Sequence, residues 1–312
     1  KRREEFSLDK KCIVIMCADN GIVAEGVTQT GQDVTAAVAK NMAARRSCVC
    51  LMAACAGAEV LPVDVGIAAD MTETGILDRK IAWGTRDFLK EPAMTRKEAV
   101  KALEVGIEAA GILYEKGCDL AGTGEMGIGN TATSSAVISV LTGLDPETVT
   151  GKGAGLDNAG LKRKIEVIKE GIRIHNPDSS DGIDVLSKVG GLDLAALTGF
   201  YLGCAYWRIP VVLDGLITGA AALAAVKLCP AVADYLLASH VSAEPAGQAV
   251  LASLGLKAAI QAGMCLGEGT GAAAFFPMLD MALTIYSKMD TFQDIQVKPY
   301  CHFEEDKNED KE

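Results

Sequence analysis

The run Cys12-Ile13-Val14-Ile15-Met16-Cys17 is apolar throughout and stops at Asp19-Asn20-Gly21. A segment this short, apolar at every position and ended by turn residues, reads as a strand covered on both faces, the kind found in a parallel sheet under helices. The pattern recurs at Glu59–Val65, Cys118–Gly122, Ile209–Asp214 and Tyr235–Ser239. Between these runs lie stretches of helical periodicity near Val34–Arg45, Lys97–Glu115, Thr133–Leu141, Leu161–Ile174, Leu192–Trp207, Ala220–Val226 and Ala272–Lys288. Short strands alternating with longer helices predict an α/β fold with a mostly parallel sheet flanked by helices. The spacing fits one domain over residues 1–292, followed by an acidic tail over 293–312 that ends in the charge run Glu304–Glu312.

Polar or glycine-rich residues follow the strand candidates at Asp19-Asn20-Gly21, Gly122-Thr123-Gly124-Glu125, Asp214-Gly215 and Ser239-His240. Open α/β sheets bind ligands outside the carboxyl ends of their strands, so these four turns are expected to line one crevice.

Composition removes several function classes. A net charge of −11 is unsuited to a polyanion, which needs a basic face to release counterions, so no nucleic-acid partner is expected. With 33 glycines and only 5% aromatics the chain favours close backbone approach to a small ligand over a stacking surface. The 10 cysteines form no CxxC pair around Cys48, Cys50 and Cys55, and there are only 3 histidines, so a metal site is not expected and reduced thiols are. No apolar leader follows Lys1-Arg2-Arg3-Glu4-Glu5, and the most apolar stretch, Leu213–Leu237, is broken by Asp214, Lys227, Pro230 and Asp234. A cytoplasmic protein without a membrane span is the expectation.

Three glycine-rich segments carry the candidate chemistry. Gly122-Thr123-Gly124-Glu125-Met126-Gly127-Ile128-Gly129-Asn130-Thr131 lies at a strand-to-helix junction, where backbone N–H groups can hold an anion. It lacks the Gly-Lys-Ser/Thr of a P-loop, and its Glu125 either faces another part of a ligand or caps the turn. Cys265-Leu266-Gly267-Glu268-Gly269-Thr270-Gly271 sets a second glutamate among glycines, either as a base whose pKa burial would raise or as a dipole-stabilised helix start. Gly151-Lys152-Gly153-Ala154-Gly155-Leu156-Asp157 precedes Lys162-Arg163-Lys164, where a lysine is either a phosphate ligand or solvent-facing. Ser239-His240-Val241-Ser242-Ala243-Glu244-Pro245 adds hydroxyls and a carboxylate at a strand end, with His240 read as more often structural than catalytic in such a place. No Ser/His/Asp order is evident, and no Gly-x-Gly-x-x-Gly follows the first strand, which argues against a hydrolase and a dinucleotide oxidoreductase.

Taken in order, Ala18–Val23, Gln32–Thr35, Gly124–Thr131, Lys188–Gly191, Arg208–Gly215, Ser242–Pro245 and Leu266–Gly271 resemble the nicotinate-nucleotide:dimethylbenzimidazole phosphoribosyltransferase family over about residues 12 to 292. The resemblance implies a Rossmann-like sheet with a small helical subdomain, a dimer, and no metal or other cofactor. It implies transfer of phosphoribose from nicotinate mononucleotide to a benzimidazole, giving an α-ribotide phosphate and nicotinate in cobamide (vitamin B12) biosynthesis. On it, Glu268 matches the general base, with Glu125 and Asp214 as further acidic positions of the catalytic group. Gly127, Gly129, Asn130, Lys164, Ser242, Gly267 and Gly269 match the phosphate and ribose side, and Asn20, Thr28, Thr30, Gln32, Met126 and Leu266 the acceptor side. Family members usually carry His in place of Asn20 and an aromatic near Thr30. They also open with a helical segment and a Lys-Pro-Pro-Gly-Ser-Leu-Gly-like motif, so this chain is expected to start late. Some relatives use phenolic acceptors and work as paired, non-identical subunits, and a non-catalytic partner subunit or sensor on the same scaffold is the alternative to an enzyme.

Overall fold

The computed structural model describes residues 7–300. Lys1–Glu5 and the charge run Glu304–Glu312 lie outside the described residues. In chain order the elements are β1 (Lys11–Ala18), α1 (Asp33–Ala43), α2 (Cys48–Cys55), β2 (Ala58–Gly66), β3 (Leu77–Asp78), α3 (Arg96–Glu115), β4 (Leu120–Met126), α4 (Asn130–Thr142), α5 (Pro146–Val149) and α6 (Asn158–His175). They continue with α7 (Gly182–Val189), α8 (Leu192–Trp207), β5 (Val211–Leu213), α9 (Leu216–Leu228), β6 (Leu236–Ala238), α10 (Gly247–Ser253) and α11 (Thr270–Lys288).

The six strands form one sheet in the order β3-β2-β1-β4-β5-β6, and every pairing is parallel. Ile13 sits opposite Val60 on one side and Gly122 on the other, so β1 lies where the strand order reverses. Helices cover both faces, which is why β1 is buried along its whole length and reads as an unbroken apolar run.

The glycine-rich junction differs from its sequence reading. Gly122-Thr123-Gly124-Glu125 is not a turn but the body of β4, and the chain turns at Gly127–Gly129. Glycine serves here by taking no space. A methyl at Gly122 would sit 2.9 Å from Ala272 Cβ and 3.0 Å from the ring of Phe276, and one at Gly124 would collide with the carbonyl of Glu268. Helices α2, α7 and α10 were not legible in the periodicity. In α2 all eight residues are Cys, Val, Leu, Met or Ala, so no polar face marks the turns. Ser47 nonetheless caps it, accepting the Cys50 N–H at 3.4 Å.

The long helices α3 and α8 pack closely. α3 starts on a capping box, Thr95 Oγ1 accepting from Glu98 N–H at 3.1 Å while Glu98 accepts from Thr95 N–H at 2.6 Å. A methyl at Gly106 would overlap the Ala196 carbonyl oxygen, and one at Gly199 would overlap that of Leu103. Backbone meets backbone at this crossing and neither side can yield like a side chain. Gly106→Ala should therefore lower stability by at least about 2 kcal/mol, towards the upper end for overpacking, read as a drop in urea midpoint at unchanged slope.

The described residues fall into two compact units that divide after Pro277, within α11. The sheet and the candidate site belong to the first. In the second, Met281, Ile285, Tyr286 and Met289 are exposed. Among the described residues no helix is long and apolar enough to cross a membrane.

Candidate active site

Beyond the carboxyl ends of β4, β5 and β6 lies a cavity of about 340 Å³, a volume suited to a small-molecule ligand. β4 and its turn supply Glu125, Met126, Gly127, Ile128, Asn130 and Thr131. Asp214 and Gly215 come from the end of β5, and His240, Ser242 and Glu244 from the end of β6. The loop before α11 closes the cavity with Cys265, Leu266, Gly267 and Glu268, and α1 adds Val34 and Val38. Three of the four turns read from the sequence thus meet here. Asp19-Asn20-Gly21 does not reach the lining.

The floor is a knot of buried acids. Glu125 and Asp193 share the amide of Asn130, whose Nδ2 donates to Glu125 Oε2 and, at 3.1 Å, to Asp193 Oδ2. Asp193 Oδ1 also accepts from Leu194 N–H at 2.9 Å, in the first turn of α8. Burial, aided by the charges of Asp193 and Asp214, pushes Glu125 up to about 8, so it is protonated near neutral pH. Burial raises Asp193 and Asp214 to about 6. Between pH 4.5 and 8 the folded protein therefore holds a proton on Glu125 that the unfolded chain has released. Stability from this group is full below pH 4.5 and is lost as pH rises through 8. Glu125→Gln, which mimics the protonated acid, should lose less stability between about pH 5 and about pH 8 than the wild type, as urea midpoints at the two pH values will show.

Asp214 acts as a clamp. Its Oδ2 accepts from Gly269 N–H at 2.9 Å and its Oδ1 from Gly271 N–H at 2.6 Å, fixing the loop that carries Glu268 and the start of α11. That loop is unusual. Gly267, Glu268 and Gly269 all have left-handed backbone, at φ 82°, 62° and 96°. For glutamate this costs of order 1 kcal/mol, and such strain persists only where the surroundings hold it. The Glu268 carbonyl fills the space that a side chain on Gly124 would take, and the Glu268 N–H reaches the Glu125 carboxyl. The Glu268 carboxyl is raised by burial and by the charge of Asp214, with the Val49 N–H at the start of α2 opposing. Its Oε2 is buried and has no hydrogen-bond partner among the described residues.

Lys164 is fully buried beside the cavity, contrary to the solvent-facing reading of its helix. Its Nζ donates to Thr131 Oγ1 at 2.8 Å and to the Gly151 carbonyl at 3.1 Å. Burial lowers it to about 8, against the charge of Glu244. The ammonium thus stands next to the first residues of α4, whose N-cap, Gly129, has φ 91°. A helix N-terminus and a cation close together make an anion site.

Of the residues singled out from sequence, Glu125, Met126, Gly127, Asn130, Asp214, Ser242, Leu266, Gly267 and Glu268 line the cavity. Gly129, Lys164 and Gly269 lie directly behind the lining. Asn20, Thr28, Thr30 and Gln32 stand apart from it. Asn20 is buried behind the glycine turn, its Nδ2 3.4 Å from the Ile128 carbonyl, and Gln32 Nε2 donates to the Asn20 carbonyl at 3.2 Å. Thr28 Oγ1 accepts from Thr30 N–H at 3.4 Å in the loop before α1. Thr131, Asp193, Glu244 and His240 join the site without having been marked by the sequence as its residues. Asp193 leaves no local trace, being one carboxylate at the head of an otherwise apolar helix. His240 and Glu244 stand in a noted segment, whose position after a strand was the available signal.

A family profile described as phosphoribosyltransferase matches residues 1–297. The nicotinate-nucleotide–dimethylbenzimidazole phosphoribosyltransferase of Ruminiclostridium cellulolyticum is 50% identical over 290 residues, 93% of this chain and 82% of the relative. That of Clostridium acetobutylicum is 47% identical over 294 residues, 94% of this chain and 84% of the relative. The crystal structure of CobT from Thermus thermophilus superposes with a TM-score of 0.90 at 37% identity, covering 94% of this chain and 88% of that one.

Proposed function

The chain belongs to the phosphoribosyltransferase family that includes the nicotinate-nucleotide–dimethylbenzimidazole enzymes, and on that footing we propose how its cavity performs the transfer. Phosphoribose moves from nicotinate mononucleotide to 5,6-dimethylbenzimidazole or a similar lower-ligand base, giving α-ribazole phosphate and nicotinate for cobamide assembly. The enzyme needs no metal for this. It works in the cytosol as a dimer on free small molecules.

The observation that carries the reading is the Glu268 carboxylate, whose Oε2 has no partner among the described residues, in the same cavity as an apolar wall and beside a buried ammonium. Val34, Val38, Met126, Ile128 and Leu266 offer the flat acceptor its apolar surroundings. Lys164 and the N-terminus of α4 take the 5′-phosphate. The bare ring nitrogen of the acceptor attacks C1′, and the bond from C1′ to the pyridinium nitrogen breaks with its electron pair going to nicotinate. The alkylated azole still carries a proton on its other nitrogen, and Glu268 removes it. The pyridinium is a good leaving group, so no acid is needed to expel it. Glu125, protonated, and Asp214, with both oxygens engaged, hold the Glu268 loop instead of supplying charge at C1′.

Purified protein incubated with nicotinate mononucleotide and a panel of benzimidazoles, purine and phenols, followed by mass spectrometry, tests the reading. A benzimidazole ribotide phosphate with matching release of nicotinate is expected. Phenolic ribotides alone would assign the acceptor site to phenols, and no product from any acceptor would reject the reading.

A further inference from the structure

We infer that His240 reads the pentose of the donor, its Nε2 accepting a hydrogen bond from one ribose hydroxyl. The inference rests on the function proposed above and goes beyond it by assigning a specificity residue.

The ring has little freedom. Its backbone is held on both sides by a bridge to Ile260, with Val241 N–H donating to the Ile260 carbonyl at 3.0 Å and Ile260 N–H to the Ser239 carbonyl at 3.1 Å. The imidazole lies so close to Gly271 that a methyl there would collide with Nδ1. The residue is buried, yet its ring lines the cavity.

Ser239 decides the tautomer. Its Oγ is 2.6 Å from the Leu213 carbonyl, 3.1 Å from the Asp214 carbonyl and 3.0 Å from His240 Nδ1. The hydroxyl has one hydrogen and two carbonyl neighbours that only accept, so the hydrogen goes to a carbonyl. Ser239 Oγ then meets Nδ1 with a lone pair, and the ring proton must be on Nδ1. Nε2 is left bare. It borders the space over Gly215, 3.5 Å from where a methyl on that glycine would stand, with Ser242 Oγ 3.8 Å from the same point.

Burial depresses the imidazole's pKa, which keeps the ring neutral and unsuited to pairing with phosphate. A bare nitrogen needs a donor. The nicotinate ring of the donor has no N–H, its phosphate near neutral pH chiefly accepts, and the single N–H of the benzimidazole goes to Glu268. The ribose hydroxyls are the donors that remain.

The test compares kcat/KM for nicotinate mononucleotide with its 2′-deoxy and 3′-deoxy counterparts, at saturating 5,6-dimethylbenzimidazole. The wild type should prefer the ribonucleotide over one of the two deoxy donors by at least about tenfold, because that donor leaves a buried acceptor unpaired. His240→Phe should bring this preference close to one by losing rate on the ribonucleotide alone. His240→Gln, which still offers an acceptor oxygen, should recover part of it. Ser239→Ala, which releases the tautomer without touching the ring, should weaken it and serves if His240→Phe does not fold. A purely structural role would slow all three donors alike, so an unchanged preference in folded variants overturns the inference. A wild type that uses the ribonucleotide but accepts both deoxy donors equally well also overturns it, while one inactive on nicotinate mononucleotide rejects the proposed function itself.

Discussion

Glu268→Gln is expected to lower kcat by about 10²- to 10⁴-fold, the range for loss of a general base, with little change in KM for either substrate. Glutamine keeps the size and the left-handed φ of 62° but cannot take the azole proton. The pH dependence should change too. Burial and the charge of Asp214 raise the Glu268 carboxyl above the ordinary glutamate value, so wild-type kcat should rise through that raised pKa and level off above it. The acidic limb should be absent in the glutamine variant. Rapid-quench or steady-state rates from about pH 4.5 to about pH 7.5 check both points, and a variant retaining its acidic limb would move the base elsewhere.

Lys164→Met is expected to act on the other substrate. It should raise KM for nicotinate mononucleotide by roughly 10- to 100-fold, the worth of a hydrogen bond to a charged group, and leave KM for the acceptor nearly unchanged. Among the described residues the ammonium has the Thr131 hydroxyl, the Gly151 carbonyl and the charge of Glu244 to offset its burial. Its pKa is accordingly down to about 8. The sign follows from linkage. Between pH 8 and 10.5 the unfolded chain holds a proton that the folded protein has lost, so this group makes the empty protein more stable as pH rises. Donor affinity should move the opposite way and weaken above about pH 8. Isothermal calorimetry with nicotinate mononucleotide at about pH 7 and about pH 9, on both proteins, measures it, and methionine should abolish that part of the pH dependence.

Five of the six strands were legible because they announce themselves, whereas β3, a two-residue edge strand at Leu77–Asp78, is too short to show a pattern. β1 is apolar at every position but its first, since both faces are covered, and its abrupt stop at Asp19 marks the carboxyl edge where ligands bind. Helix α8 was legible to its ends, Leu192–Trp207, for a related reason: a long apolar segment cannot stay exposed. What periodicity could not convey was why glycine stands where it does. Gly122 and Gly124 looked like turn residues, yet they lie inside β4 because Phe276 and the Glu268 carbonyl press against it. That pressure comes from the Glu268 loop and the start of α11, more than 140 residues away in sequence. Lys164 was ambiguous for the same reason. Helical spacing sets Lys164, unlike Lys162 or Arg163, on the face that carries Gly160, Val167, Ile168 and Gly171, but only the packing of α6 on α4 supplies the Thr131 hydroxyl that holds a charge there. Asp193 was silent, as its partner Asn130 is contributed by a different helix. The ordered motifs, by contrast, carried the site because several of them end on the same edge of the sheet.

The proposed reaction, in which the acceptor attacks C1′ itself while nicotinate leaves, is a single displacement and predicts inversion. Nicotinate mononucleotide has the β configuration, so the product of the wild-type enzyme with 5,6-dimethylbenzimidazole should be the α-ribotide. Proton NMR of the purified product, reading the anomeric coupling and the cross-relaxation between the anomeric proton and the ring protons of the sugar, measures this directly. An α anomer formed in step with free nicotinate is the predicted result. A β anomer would mean two successive displacements through a covalent or second nucleophile, and would contradict the assignment of Glu268 as a base acting on an acceptor that attacks C1′ itself.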